Sequence, residues 1–198
     1  MTINGKIGSI SHDDERARAS AHQPVILIGK IEADQGELPV GLICTRNNSA
    51  ELVPYQEVAD EVLATGNGIL TTFAGTIDEL PVEPGSLVIT DGVETFADDG
   101  LGRLTGDAGG SGTVNYKTGA VSITFDTAVV NAVEITADYA TSIDCVLDET
   151  VDSTKTSSAT YIIHGSVRMD ALKVGAVAKA APSSTLLGRL IKKMIYPE

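Results

Sequence analysis

The chain has 198 residues, enough for one large domain or two small ones, with 42% hydrophobic residues but no Trp and only 4% aromatics. Twenty glycines beside frequent Val, Ile and Thr favour short strands and many turns over long helices. The net charge of −13, with no basic patch interleaved with aromatics, argues against nucleic-acid binding, and no apolar run is long enough to span a membrane.

Residues 1–23 are polar, with Gly5, Gly8, Ser9, Ser11 and Ser20 among mixed charges. They read as a flexible arm, and Asp13, Asp14 and Glu15 set them apart from a secretory signal. Val25, Ile26, Leu27 and Ile28 then form a short apolar strand signal, and Leu38-Pro39-Val40-Gly41-Leu42-Ile43 starts a second. The turn formers Asn47-Asn48 and a further apolar pair, Leu52-Val53, follow. Residues 57–64 have room for one or two helical turns, which Thr65-Gly66-Asn67-Gly68 stops.

The middle of the chain is the clearest β signal. Leu87 and Ile89 share one face; Val114 and Tyr116 alternate, Lys117-Thr118-Gly119 turns the chain, and Val121, Ile123 and Phe125 alternate back. Val133, Ile135, Ala137 and Tyr139 make another alternating strand. Period-two alternation buries one face of each strand and wets the other. Short strands with Gly-rich turns, here Asp98-Asp99-Gly100 and Gly109-Gly110-Ser111-Gly112, imply a small antiparallel sandwich. Charge marks the same block: residues 61–141 hold twelve Asp and Glu against Arg103 and Lys117, a local −10.

Beyond Thr141 the pattern of the first segment resumes, with a strand signal at Tyr161, Ile163, Gly165 and Val167. Pro182, Ser183 and Ser184 open the one helix signal, with Ser as N-cap. Leu186, Leu187, Leu190, Ile191, Met194 and Ile195 fall on one face, and Arg189, Lys192 and Lys193 lie near its C-terminus, where the macrodipole favours cations. This helix reads equally as a cap on the core or as an oligomer contact. The organisation implied is an arm (1–23), a discontinuous β domain (24–60 plus 142–198) and an inserted β domain (61–141), a placement that needs an exposed loop with nearby ends. Cys44 and Cys145, one in each half of the split domain, read as two buried small hydrophobes, with their pairing left open.

Nothing in the sequence assembles reactive groups. His12, His22 and His164 lack metal-ligand spacing, and neither a His-Glu-x-x-His motif, a Cys-x-x-Cys pair, a phosphate loop nor a nucleophile elbow is present. His164 and Ser166 sit too close along one strand to read as a catalytic pair. Asp98, Asp99 and Asp107 could meet on a calcium ion, but they do not follow the EF-hand pattern and read as solvated loop acids. The expectation is a non-enzymatic protein with no cofactor and no metal.

Two sets of residues resemble a known family. Leu38-Pro39-Val40-Gly41-Leu42-Ile43 with Ala50-Glu51-Leu52-Val53-Pro54-Tyr55 resembles the early core of the lambda-type head decoration proteins of tailed phages. Cys145-Val146-Leu147-Asp148-Glu149, Tyr161-Ile162-Ile163-His164-Gly165-Ser166-Val167 and Asp170-Ala171-Leu172 resemble its later half, and residues 190–196 its closing helix. Thr71-Thr72-Phe73-Ala74-Gly75-Thr76, Pro84-Gly85-Ser86-Leu87-Val88-Ile89-Thr90 and Gly112-Thr113-Val114-Asn115-Tyr116 resemble a second recurrent phage structural module. The resemblance implies a mainly β fold: a β-tulip-like decoration domain with a C-terminal helix, interrupted by an Ig-like sandwich. It implies a virion protein made in the bacterial cytoplasm, a homotrimer on the outer surface of the expanded bacteriophage capsid. At threefold positions it would cement the major capsid protein lattice, without nucleic-acid or membrane partners. The arm, through Ile3, Ile7, Ile10, Arg16 and Arg18, becomes the candidate capsid contact, ordering on binding. The competing expectation is a tail-associated or adhesin-like phage protein whose inserted domain binds a host receptor.

Overall fold

The structure, a computed structural model, describes residues 16–177 and 179–198. Its strands in chain order are β1 (Val25–Lys30), β2 (Glu37–Leu38), β3 (Ile43–Arg46), β4 (Leu52–Pro54), β5 (Glu57–Thr65), β6 (Thr72–Thr76), β7 (Val88–Thr90), β8 (Thr95–Asp98), β9 (Arg103–Gly106), β10 (Ser111–Val114), β11 (Ala120–Thr124), β12 (Glu134–Ala140), β13 (Cys145–Leu147), β14 (Val151–Asp152), β15 (Ser158–Val167) and β16 (Ile195–Pro197). The α-helix, α1 (Ser184–Lys192), precedes the last strand. The fold is mainly β and antiparallel, as the alternating patterns imply.

The two ends of the chain build the first sheet, in the order β1-β15-β13-β3-β4, with β16 alongside β15. Alternation along its strands separates two apolar layers. Ile43, Val146 and Ile162 face Tyr55, Leu172, Leu186, Leu190 and Ile195 on one side. Cys44, Cys145, Leu147 and Tyr161 face Leu38, Leu42, Leu52 and Val151 on the other. Cys44 and Cys145 lie directly opposite one another on β3 and β13, fully buried and both free thiols.

Residues 57–140 build the second sheet, in the order β5-β12-β7-β8-β9-β10-β11-β6. The two facing sheets expected of this block are one continuous ladder. It curls until its end strands adjoin, a Cβ on Gly75 of β6 falling 3.3 Å from the Leu63 carbonyl of β5, so the sheet is a nearly closed barrel. Bulges sharpen such curvature, and the β5–β12 pair has two, one beside Asp60 in the left-handed region at φ 56°. The barrel holds its own core, with Leu87, Ile89, Phe96, Leu104, Ile123, Phe125, Ile135 and Ala137 inside.

Three local expectations change. Residues 57–64 form strand β5 and no helix; the two bulges break its alternation, and a broken alternation resembles a helical period. The helix ends at Lys192: Lys193 caps it, Met194 adopts a left-handed backbone at φ 61°, and Ile195 starts β16, parallel to β15. Ile195 therefore reaches the core from a strand although its spacing fits the helix. Finally, residues 16–22 of the expected arm are bonded to the first sheet, as described below.

Candidate functional site

β15 carries residues 16–22 on one edge and the C-terminal residues on the other. Along Gly165–Val167 successive backbone groups point to opposite edges. Ser166 donates its N–H to the His22 carbonyl and accepts from the Ala19 N–H. Gly165 donates to Met194 O, and Val167 O accepts from Glu198 N–H. The N-terminal segment thus lies on one edge and β16 on the other. Residues 16–22 are held because β1 stops at Val25, leaving the end of β15 without a strand neighbour on that side.

A buried carboxylate ties the segment down. The Asp148 side chain is only 1% exposed; it accepts the Arg18 N–H at 3.3 Å and faces Arg16 Nη1 at 3.4 Å and Arg18 Nε at 3.8 Å. Burial pushes its carboxyl above the ordinary aspartate range, although Arg18 and then Arg16 pull the other way. Arg16 also pairs with Glu149 at 3.2 Å. Ala17 is fully buried, and its N–H and C=O bond Asp148 O and Arg168 N–H. Rings close the seam: His22 stands edge-on to His164, centroids 4.7 Å apart, and stacks on Tyr196 at 5.4 Å. Outside it, Arg18, Ala19, Ser20, Arg168 and Glu198 line an open hollow of about 530 Å³.

Of the expected capsid contacts, Arg16 and Arg18 belong to this anchor, while Ile3, Ile7 and Ile10 lie outside the described residues. Of the helix set, Leu186, Leu190 and Ile195 are buried in the core and Leu187 packs against it. Ile191 and Met194 are 52% and 54% exposed, so the buried part of the face caps the core and these two side chains remain on the surface. Ser183 caps the helix by accepting the Leu186 N–H, and Arg189 donates to the Tyr55 hydroxyl at 3.1 Å. Beyond it, Arg189, Lys192 and Lys193 face the barrel turn at Glu83–Pro84–Gly85–Ser86 across a cleft of about 270 Å³.

At the far end of the barrel, where β5 ends and β12 begins, three turns carry the exposed apolar residues Ile69, Leu70, Val93 and Val130. Asn67 Oδ1 accepts the N–H groups of Ile69 and Leu70. Buried Glu94 accepts Gly110 N–H at 2.6 Å and Asp126 N–H at 2.8 Å, fixing three turns to one carboxylate. No side-chain pattern marks this pin, because its partners are backbone groups.

Asp98, Asp99 and Asp107 do not converge. Asp98 accepts Gly85 N–H, Gly100 N–H and the Tyr116 hydroxyl; Asp99 accepts Leu101 and Arg103 N–H; Asp107 accepts Thr95 N–H at the opposite end of the barrel. Each shapes a turn. Ser166 Oγ, next to His164 in sequence, accepts the His22 N–H. No family model matches this chain, and neither does any curated protein or solved structure.

Proposed function

We propose that the chain is a virion structural protein that binds the outside of an expanded tailed-phage capsid as a trimer at threefold positions and cements the major capsid lattice. The motifs of the first sheet suggest the reading. The observation that supports it best is the division of labour in the fold. Residues 16–22 and the C-terminal strand are both fastened to β15 in one sheet, while residues 57–140 leave that sheet and return to it through paired Glu57 and Ala140, forming a barrel with its own core. A protein so divided can hold a lattice with one part and project the other. Several weak contacts per trimer add up through multivalency, and no catalysis or cofactor is required. Co-sedimentation of the purified chain with expanded, undecorated phage shells, followed by cryo-microscopy, tests this. Density at the threefold positions is the expected result; shells that remain bare overturn it.

A tail-associated or adhesin-like role is the second reading, favoured by the apolar residues Ile69, Leu70, Val93 and Val130 at the free end of the barrel. Under that reading the same micrographs place the chain on the tail, and an Ile69→Asp substitution abolishes attachment to host cells.

A further inference from the structure

Among the described residues the first sheet has one edge strand left open. Ile31 donates its N–H to Ser157 O, and in the register that pairs Gly29 with Ala159 and Leu27 with Tyr161, the odd-numbered residues of β1 bond β15. The even-numbered residues then direct their N–H and C=O groups away from the sheet. Glu32 fits this parity, its N–H bonding Leu52 O of β4. Before it, Ile26, Ile28 and Lys30 present outward backbone groups that bond nothing among the described residues. The side chains here are apolar and in water: Val25 is 45%, Leu27 42% and Ile28 75% exposed. Proteins usually blunt such an edge with charge, proline or a bulge. Here the devices stand only at its two limits. Pro24 and the irregularity between Val25 and Ile26 bound one end, and the Lys30–Glu51 ion pair with the Ile31–Leu52 bridge bounds the other. Between them the window Ile26-Leu27-Ile28-Gly29 is uncharged in a chain of net charge −13.

We propose that this window is a twofold contact with a second copy of the chain, β1 pairing antiparallel with β1 about Ile28. The strand's own composition selects that occupant. Centred on Ile28, the register sets Ile28 opposite itself and Ile26 opposite Lys30 of the other copy, the residues whose backbone groups are free to bond. It sets Leu27 opposite Gly29. Gly29 carries no Cβ, since one would fall 2.6 Å from the Tyr161 ring, so Leu27 of the second copy lies against that ring instead of against a side chain at Gly29. The pairing lies wholly inside the uncharged window plus Lys30, whose stem can lie along Ile26 while its ammonium stays in water. The window itself adds no like charge to the repulsion between two chains of net charge −13. The contact is isologous and separate from any threefold assembly, so it does not depend on the cement reading.

Sedimentation of the full chain across a wide concentration range tests it, with two substitutions. Ile28→Pro removes an outward N–H that the β15 ladder does not use, a change an edge strand tolerates. Ile28→Lys alters only an exposed side chain and guards against a folding defect in the first. The expected result is an even-numbered assembly that each substitution splits in half, with thermal melts unchanged. A monomer at every concentration, an assembly untouched by both substitutions, or an odd-numbered one that they dissolve each overturns the pairing.

Discussion

Glu94 is a carboxylate almost without water, 3% exposed, whose two oxygens each take a backbone N–H. Space for it is made by glycine: a Cβ on Gly106 would lie 2.1 Å from Glu94 Oε1, and one on Gly110 2.6 Å. Glu94→Gln keeps the shape but turns an amide donor toward an N–H donor, so a loss of about 1–3 kcal/mol is expected. Gly110→Ala is expected to cost a similar ~1–3 kcal/mol through overpacking. Urea denaturation measures both, and faster amide exchange at Gly110 and Asp126 in Glu94→Gln identifies the pin as the cause. Asp148 differs because its arginines do not fully offset burial, and its carboxyl is pushed above the ordinary 3.8. A carboxyl raised in the folded state binds more protons folded than unfolded, so its contribution to stability is greatest in acid and declines as pH rises through the folded value. Relative to Asp148→Asn, the wild type therefore loses stability from pH 3.8 upward, until the carboxyl is ionised. Urea melts of both proteins at pH 3.8 and at neutral pH check the sign; a gap that moves the other way refutes it.

Among the elements, the N-terminal segment shows how tertiary pairing overrides composition. Residues 16–22 are polar, yet Ala17, Ala19 and His22 join the backbone ladder of Ser166 and Arg168, and Arg18 bridges Val167. Deleting residues 1–22 is expected to cost roughly 1 kcal/mol per backbone hydrogen bond lost, beyond any effect of deleting residues 1–15. Thermal melts of the two truncations isolate that difference, and equal midpoints would show that the ladder contributes nothing. The segment was illegible in the sequence because its contacts run through the backbone to residues far along the chain, and hydropathy records only side chains. β8 and β9 escaped notice for another reason: each buries a single large side chain, Phe96 or Leu104, too few for alternation to register. β7, β11 and β12 were legible because Leu87 and Ile89, Val121 and Ile123, and Ile135, Ala137 and Tyr139 all face inward at period two. Helix α1 was legible from its Ser183 cap and its leucines, but not where it stops, since Ile195 keeps the helical spacing after the backbone has turned at Met194. Of the candidate site, Arg16 and Arg18 could be named in advance, whereas buried Asp148, which holds them, looks in sequence like any surface acid.

For the whole molecule, the question is how far the barrel and the first sheet depend on each other. Their cores are separate, and the link is a narrow neck: Thr141 and Gln56 exchange bonds through Thr141 N–H and Oγ1, Val82 bridges Thr141, and Ser142 N–H bonds Pro81 O. Around the neck lie two further contacts, a long one from Lys193 to part-buried Glu83 at 3.9 Å and an exposed one from Asn48 Nδ2 to Lys117 O at 3.0 Å, neither of which adds much. Ala140 belongs to the core of the first sheet, so a cut must spare it. Replacing residues 58–139 with a short Gly/Ser linker joins Glu57 to Ala140, which already lie opposite one another in the β5–β12 ladder. Closing so short a loop costs little entropy, and both apolar layers of the first sheet remain intact. The shortened chain is expected to fold, with a cooperative melt at a somewhat lower midpoint because the Glu83 and Lys117 contacts are gone. Residues 57–140 expressed alone are expected to fold as well, since the ladder from β5 to β6 is complete within them. Circular dichroism melts and dispersed amide spectra of the two pieces decide the matter. If either piece is unfolded, the barrel and the first sheet stabilise one another through the neck, and a barrel that merely rides on the sheet is ruled out.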